Sequence, residues 1–305
     1  SASALHGWNE GNQIMHKYSK AIGFGGDISG SMMRKVEEEV RREFTSHERM
    51  ILDEDTDYCE FRKILGERLE LAMYGVMDLD ENFEKEYSVP VFQGKGITTY
   101  ADVIVEKKID KEAYIGICED ARVDISLMFY LQNPMEYVRE LQSGNLSKKK
   151  TSVTLAGLAY DGTVLFPVTK NEKDKKEQRE QFRDRMMLVS AARKGDSEAI
   201  ETLTLKDMDT YQKVSKRVVT EDIFSIIDTY FMPYGVECDL YSIMGEILDM
   251  DLVINEVTRE KIMILTLDVN EMIFDVCIPK ANILGEPAVG RRFRTNIWLQ
   301  GKINF

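Results

Sequence analysis

The side chains best suited to chemistry lie on the last apolar segment of the chain, where residue types alternate strictly. Phe293, Thr295, Ile297, Leu299, Gly301, Ile303 and Phe305 form one set, and Arg292, Arg294, Asn296, Trp298, Gln300 and Lys302 form the other. Successive side chains of a strand point to opposite faces, so this spacing predicts one core face and one outer face carrying guanidinium, amide and indole groups. Such a face can hold an anion or stack a planar ring. Arg291, beside the turn at Pro287 and Gly290, extends the candidate patch. The bland alternative is a solvated outer face with Trp298 packed under a neighbouring loop.

Other constellations are weaker. Asp53, Glu54, Asp55 and Asp57 resemble the first half of a calcium loop, but Tyr58 stands where that loop needs glycine and Ile64 where it needs glutamate. An acidic solvated loop is the better reading. Gly23, Gly25, Gly26 and Gly30 precede a helical pattern without the register of a phosphate loop, and Gly94-Lys95-Gly96 lacks its upstream glycine. They read as turns. The three histidines, His6, His16 and His47, have no obvious partners, and no nucleophile elbow, zinc-protease helix or kinase motif set is present. Cys59, Cys118, Cys238 and Cys277 are widely spaced without a CxxC pair, which suits reduced thiols in a cytoplasmic protein. No metal or cofactor is implied.

The elements that would position these residues follow from periodicity. Val36, Val40 and Phe44 recur every fourth residue after Ser31, a plausible N-cap, and describe a surface helix. Leu69, Leu71, Met73, Gly75 and Met77 then alternate as a strand to Asp78, with a turn at Asp80-Glu81-Asn82 leading to a second strand ending near Phe92. Further strands are expected over 99–105, 114–118 and 123–131, joined by connections short enough for an antiparallel meander. A helix should follow Pro134, and a hairpin should turn at Asp161-Gly162. Residues 171–205 read as a charged helical hairpin broken at Gly195-Asp196, and helical spacing continues to Thr220. Residues 223–231 fit helix or strand. Beyond Pro233 and Gly235, strands are expected over 241–254, 261–268, 272–278 and 291–305, with bends at Gly245 and Gly301.

The fold class is therefore α+β, with an antiparallel meander sheet, flanking helices, a helical connector and a small C-terminal β-barrel-like domain. The expected division is a tail or leader over 1–14, an α+β antiparallel-sheet domain over 15–168, the connector over 169–232 and the β-rich domain over 233–305. Apolar residues at 43% and charged residues at 30% support a folded chain of 305 residues. A formal net charge of -13 argues against nucleic-acid binding over the whole surface. Residues 148–194 nevertheless hold 12 Lys and Arg against 6 Asp and Glu, so a local basic patch is allowed. No apolar run reaches the roughly 20 residues of a membrane-spanning helix.

Met15-His16-Lys17-Tyr18 with Ala21-Ile22-Gly23-Phe24, Phe129-Tyr130-Leu131-Gln132-Asn133, Phe231-Met232-Pro233-Tyr234-Gly235, and Gly285-Glu286-Pro287 through Trp298-Leu299-Gln300-Gly301 carry a family likeness. The chain resembles an uncharacterised protein family of Gram-positive anaerobic bacteria, a domain of unknown function. That resemblance implies a cytoplasmic bacterial protein and supplies no catalytic residues. The functional expectation is a non-enzymatic binding or regulatory protein whose C-terminal β domain recognises an anionic ligand, an oligonucleotide or another protein. Two alternatives stand beside it: a hydrolase whose carboxylates converge from distant segments, and a structural partner in an assembly.

Overall fold

The computed structural model describes residues 17–25, 30–108, 113–123, 125–144, 146, 150–167, 172–218 and 223–305. The expected tail over 1–14 and part of the glycine-rich stretch lie outside the described residues. After a 3-10 turn at Ser19–Ile22 come helix α1 (Gly30–Arg42) and strands β1 (Ser46–Ile51), β2 (Thr56–Gly66), β3 (Leu69–Asp78) and β4 (Phe83–Phe92). These strands form an antiparallel sheet in chain order. Strands β5 (Val103–Lys107), β6 (Tyr114–Glu119) and β7 (Ser126–Leu131) follow, then helix α2 (Pro134–Gln142) and strands β8 (Ser152–Leu158) and β9 (Gly162–Leu165). The connector contains helices α3 (Glu172–Arg193), α4 (Ser197–Val218) and the single turn α5 (Ile223–Ile226). The remainder is β10 (Tyr230–Pro233), β11 (Leu240–Ile254), β12 (Lys261–Val269), β13 (Met272–Pro279), β14 (Ile283–Leu284) and β15 (Arg292–Asn304). The fold is α+β, as its sequence pattern predicts.

Five strands close on themselves. β11 pairs with β12, β12 with β13, β13 in parallel with β8, β8 with β15, and β15 again with β11. Closure leaves two different surfaces for alternating side chains. Phe293, Ile297, Leu299 and Ile303 of β15 point inward with Leu265, Leu267, Phe274 and Val276. A barrel is thus present, and it is completed by β8, which lies far upstream of the C-terminal strands. β5, β6 and β7 continue the sheet beyond β15 as an antiparallel ribbon.

The four-stranded sheet packs on the outer wall of this barrel. Tyr58, Tyr74, Val89 and Phe92 share a core with Ala156, Ile264, Cys277 and Trp298 from the barrel. Partly buried polar bonds join the two layers, since Arg68 pairs with Asp275 and Arg62 donates to the carbonyl of Gln132, and a buried bond from Asn255 Nδ2 to the carbonyl of Ile22 at 2.6 Å fixes the N-terminal 3-10 turn to the loop after β11. The other face of the sheet is covered by α1, where the Arg41 guanidinium lies 4.7 Å from the centre of the Phe61 ring. Glu37 of α1 bonds Lys85 Nζ and Ser88 Oγ of β4, each at 2.6 Å.

Several local expectations change. α1 begins at Gly30, before Ser31, and ends at Arg42, so its apolar stripe is Val36 and Val40 and leaves Phe44 exposed. Residues 53–55, in the candidate calcium half-loop, belong to the connection between β1 and β2, two strands that periodicity did not reveal. Asp161-Gly162 does not reverse the chain. β8 and β9 run in the same direction along one edge of β15, with Leu299 opposite Gly157 and Thr295 opposite Gly162. A Cβ on Gly162 would lie 2.2 Å from the Phe293 ring, so the missing side chain makes room for a core aromatic rather than for a turn. The helical hairpin is as expected: Gly195 takes φ of 87°, and Asp196 Oδ1 caps α4 by accepting from the N–H groups of Glu198 and Ala199 at 3.0 and 3.1 Å. Residues 223–231 become both a helical turn and the start of a strand.

Candidate functional site

β15 changes neighbours along its length, and this determines what each outward side chain meets. Residues 292–298 pair with β11 and the first four of them also with β9, whereas residues 299–304 pair with β8, with Gln300 and Gly301 also beside β7. The four-stranded sheet covers the second portion. Trp298 is 2% exposed, with its ring 5.3 Å from Tyr130 and 5.8 Å from Tyr18, and Gln300 is 0% exposed. Gln300 Oε1 accepts from the Phe92 N–H at 3.3 Å, and its Nε2 donates to the Pro90 carbonyl at 2.8 Å. A solvated recognition face through Trp298 and Gln300 is therefore corrected. Alternation identifies residues that share a face, but a barrel wall can be buried on both sides.

Arg292 is also not on a free face, being 8% exposed. Its Nε donates to the Phe166 carbonyl at 3.0 Å and its Nη1 to the Ile227 carbonyl at 2.7 Å. It ties together the two ends of the helical connector. Arg291 is placed beside the same junction, 5.7 Å over the Phe166 ring, and donates to the Glu286 carbonyl at 2.6 Å.

Arg294 and Asn296 remain half-buried and line a cleft of about 510 Å³ on the outside of the barrel. Pairing explains the rest of its wall. Arg294 stands opposite Thr163 of β9, and Asn296 opposite Ser242 of β11. Tyr230, Asp161 and Asn282 complete the polar lining, with Tyr230 Oη 3.5 Å from Ser242 Oγ. The Arg294 guanidinium is stacked 4.6 Å from the centre of the Phe224 ring. Among the described residues no carboxylate pairs with it. Stacking covers one face of a guanidinium and leaves its in-plane N–H donors for an acceptor.

Lys302 is exposed at the rim of a second cleft of about 240 Å³ and does not reach the first. The structure therefore separates the seven candidate residues: Arg294 and Asn296 share a cleft, Lys302 lines another, Arg291 and Arg292 hold a junction, and Trp298 and Gln300 are interior.

The sequence profile of the domain-of-unknown-function family DUF3881, described from an E. rectale gene, matches residues 19–301. The chain belongs to the DUF3881 family. No curated protein and no solved structure matches it. In this DUF3881 chain, no helix among the described residues is long and apolar enough to cross a membrane.

Sequence reasoning missed Thr163, Tyr230, Ser242 and Asn282. Ser242 carried a usable signal, since it interrupts the apolar residues Tyr241 and Ile243 at the opposite strand parity. The other three meet it only because β9, β10 and β14 are brought alongside β11 and β15. Three of the DUF3881 cysteines, Cys59, Cys118 and Cys277, are buried, while Cys238 is exposed. Burial pushes the Cys118 thiol up to about 12, which leaves it protonated and inert at neutral pH.

Proposed function

We propose that the protein is a non-enzymatic cytoplasmic binding protein of bacteria whose barrel cleft takes a small anionic, hydroxyl-bearing ligand. The observation that carries this reading is Arg294, stacked on Phe224 and facing a cleft lined mainly by hydroxyl and amide groups. Arg294 supplies charge and in-plane donors; Asn296, Ser242, Thr163 and Tyr230 supply orientation. Among the described residues, Asp161 is the single carboxylate of the lining, and it disfavours a ligand that is anionic throughout. A small compound with one anionic end fits this arrangement better than a polynucleotide, which the net charge of -13 repels. Four unpaired thiols accord with a reducing compartment.

The test is calorimetric titration of the full chain with inorganic phosphate, citrate, a sugar phosphate and a nucleoside monophosphate. Saturable binding of at least one is expected, weakened about tenfold or more by Arg294→Met, the scale of a lost charged hydrogen bond. Absence of binding across the set, or binding untouched by that substitution, removes the reading.

A further inference from the structure

Helices α3 and α4 pack against each other but bury almost nothing. Ala199 is the one side chain buried among their described residues. A helix in a folded chain draws most of its stability from packing an apolar face, and this pair leaves such a face uncovered. Along α4, Ile200 is 48% exposed, Leu205 61%, Met208 56% and Tyr211 74%. At 3.6 residues per turn these four fall within an arc of about 140°, and Ala199 lies on the opposite side of the helix.

The order of residues along this stripe is symmetric. Leu205 and Tyr211 stand three positions to either side of Met208. Charge is sorted about the same point: exposed Glu198 and Glu201 lie in the N-terminal half, and exposed Lys213, Lys216 and Arg217 in the C-terminal half. Lys206, the exception, falls on the side turned away from the stripe. Within one chain this sorting complements the helix macrodipole. It has a second consequence when α4 meets a copy of itself in antiparallel register at Met208. Glu198, Glu201 and Lys216 share one flank of the stripe, so both acids of each copy come level with Lys216 of the other. Near the crossing point, Asp207 and Asp209 are already paired, with Arg185 and with Lys213 Nζ at 2.6 Å.

From this symmetry we infer that the outer face of α4 is the contact through which two copies of the chain form a dimer about a two-fold axis. The two hairpins then make a four-helix arrangement in which Met208 packs on Met208 and Tyr211 of each copy reaches Ile200 of the other. Tyrosine and methionine are side chains that such contacts favour. A lipid surface fits less well. The four acids of α4 balance its four bases and the whole chain carries a net charge of -13, so the stripe has no electrostatic attraction to anionic headgroups. The contact does not depend on the ligand cleft at Arg294.

The experiment is sedimentation equilibrium of the full chain at about 5–200 µM, with circular dichroism on every variant to establish folding and flotation with phosphatidylglycerol vesicles to test the lipid alternative. A mass that rises with concentration from the 35.1 kDa of one chain toward twice that value is expected. Lys216→Glu sets like charges against Glu198 and Glu201 of the second copy and weakens self-association about tenfold or more. Adding Glu198→Lys and Glu201→Lys to Lys216→Glu restores it. Those two changes oppose the macrodipole within each helix, so a merely structural role would make the triple variant worse. Met208→Glu, at an exposed position on the two-fold axis, abolishes the dimer, and it decides the matter should the triple variant fail to fold. Arg294→Met leaves the dimer unchanged. A single chain at every concentration, a dimer indifferent to Met208→Glu and Lys216→Glu, a folded triple variant no better than Lys216→Glu alone, or flotation of the wild-type protein with the vesicles overturns the inference.

Discussion

The indole Nε1 of Trp298 donates to Asp239 Oδ2 at 2.9 Å in the interior, with its ring against those of Tyr18 and Tyr130. The same aspartate accepts the Leu299 N–H through its backbone carbonyl at 2.9 Å. Asp239 is 1% exposed, and Lys108 Nζ lies 4.0 Å from its carboxylate. A residue that alternation placed with ligand-binding groups is thus a structural donor to a buried acid. Trp298→Phe removes that donor and is expected to destabilise the protein by about 1–3 kcal/mol. Asp239→Asn, which keeps an acceptor oxygen, should cost less. Urea unfolding followed by circular dichroism measures both, and equal losses would separate the tryptophan's packing from its hydrogen bond.

Arg292 bonds the carbonyls that flank the helical connector. Arg292→Met retains an apolar stem but removes the charged donor from the carbonyls of Phe166 and Ile227, at a cost of about 1–3 kcal/mol. Hydrogen exchange should show the loss chiefly in residues 164–167 and 223–230. Uniform loss of protection across the barrel would contradict a local role.

Gln300 joins Phe92 and Pro90 of the sheet to Gln132, just beyond the end of β7. Gln300→Leu is nearly the same size and more apolar, yet it strands the Phe92 N–H and the Pro90 carbonyl. The expected destabilisation is about 1–3 kcal/mol, because unpaired buried backbone groups outweigh the gain in apolar area. Thermal unfolding decides the sign.

His47 stacks on Phe61, with ring centres 4.3 Å apart and planes inclined by 7°. Burial, followed by the charges of Arg49 and Arg41, holds its pKa below the ordinary 6.5. The folded state therefore binds the proton less readily than the unfolded chain. Its contribution to stability is full above the unfolded value and is lost as pH falls through about 6.5 toward the folded pKa. Urea midpoints at about pH 7.5 and about pH 5.5 should differ more for the wild-type protein than for His47→Gln. The same pH dependence in both would exclude His47 as its source.

Legibility followed burial. Leu69, Leu71 and Met73 face α1, and their alternation marked β3 from its first residue to Asp78. β2 escaped because Tyr58, Cys59, Glu60 and Phe61 are buried consecutively, one pair of faces against α1 and the other against the barrel. Aromatic and polar residues occupy both of its faces, so its hydrophobicity has no period of two, and Glu60 is buried with Arg62 and Tyr74 bonding its carboxylate. Asp161-Gly162 has the composition of a turn, and the sequence contains the glycine without showing the Phe293 ring that lies over it.

By itself the sequence determined the α+β class, the helical hairpin around Gly195-Asp196, the terminal strand and the inward set from Phe293 to Ile303, since these depend on residue type and local period. Only the tertiary structure decided that β8 closes the barrel, that Trp298 and Gln300 lie beneath a second sheet, and that Arg294 meets Ser242 and Thr163 in one cleft. The physical reason is that alternation orders side chains along one strand, whereas the strand or sheet laid against them is chosen by long-range pairing between segments more than 50 residues apart.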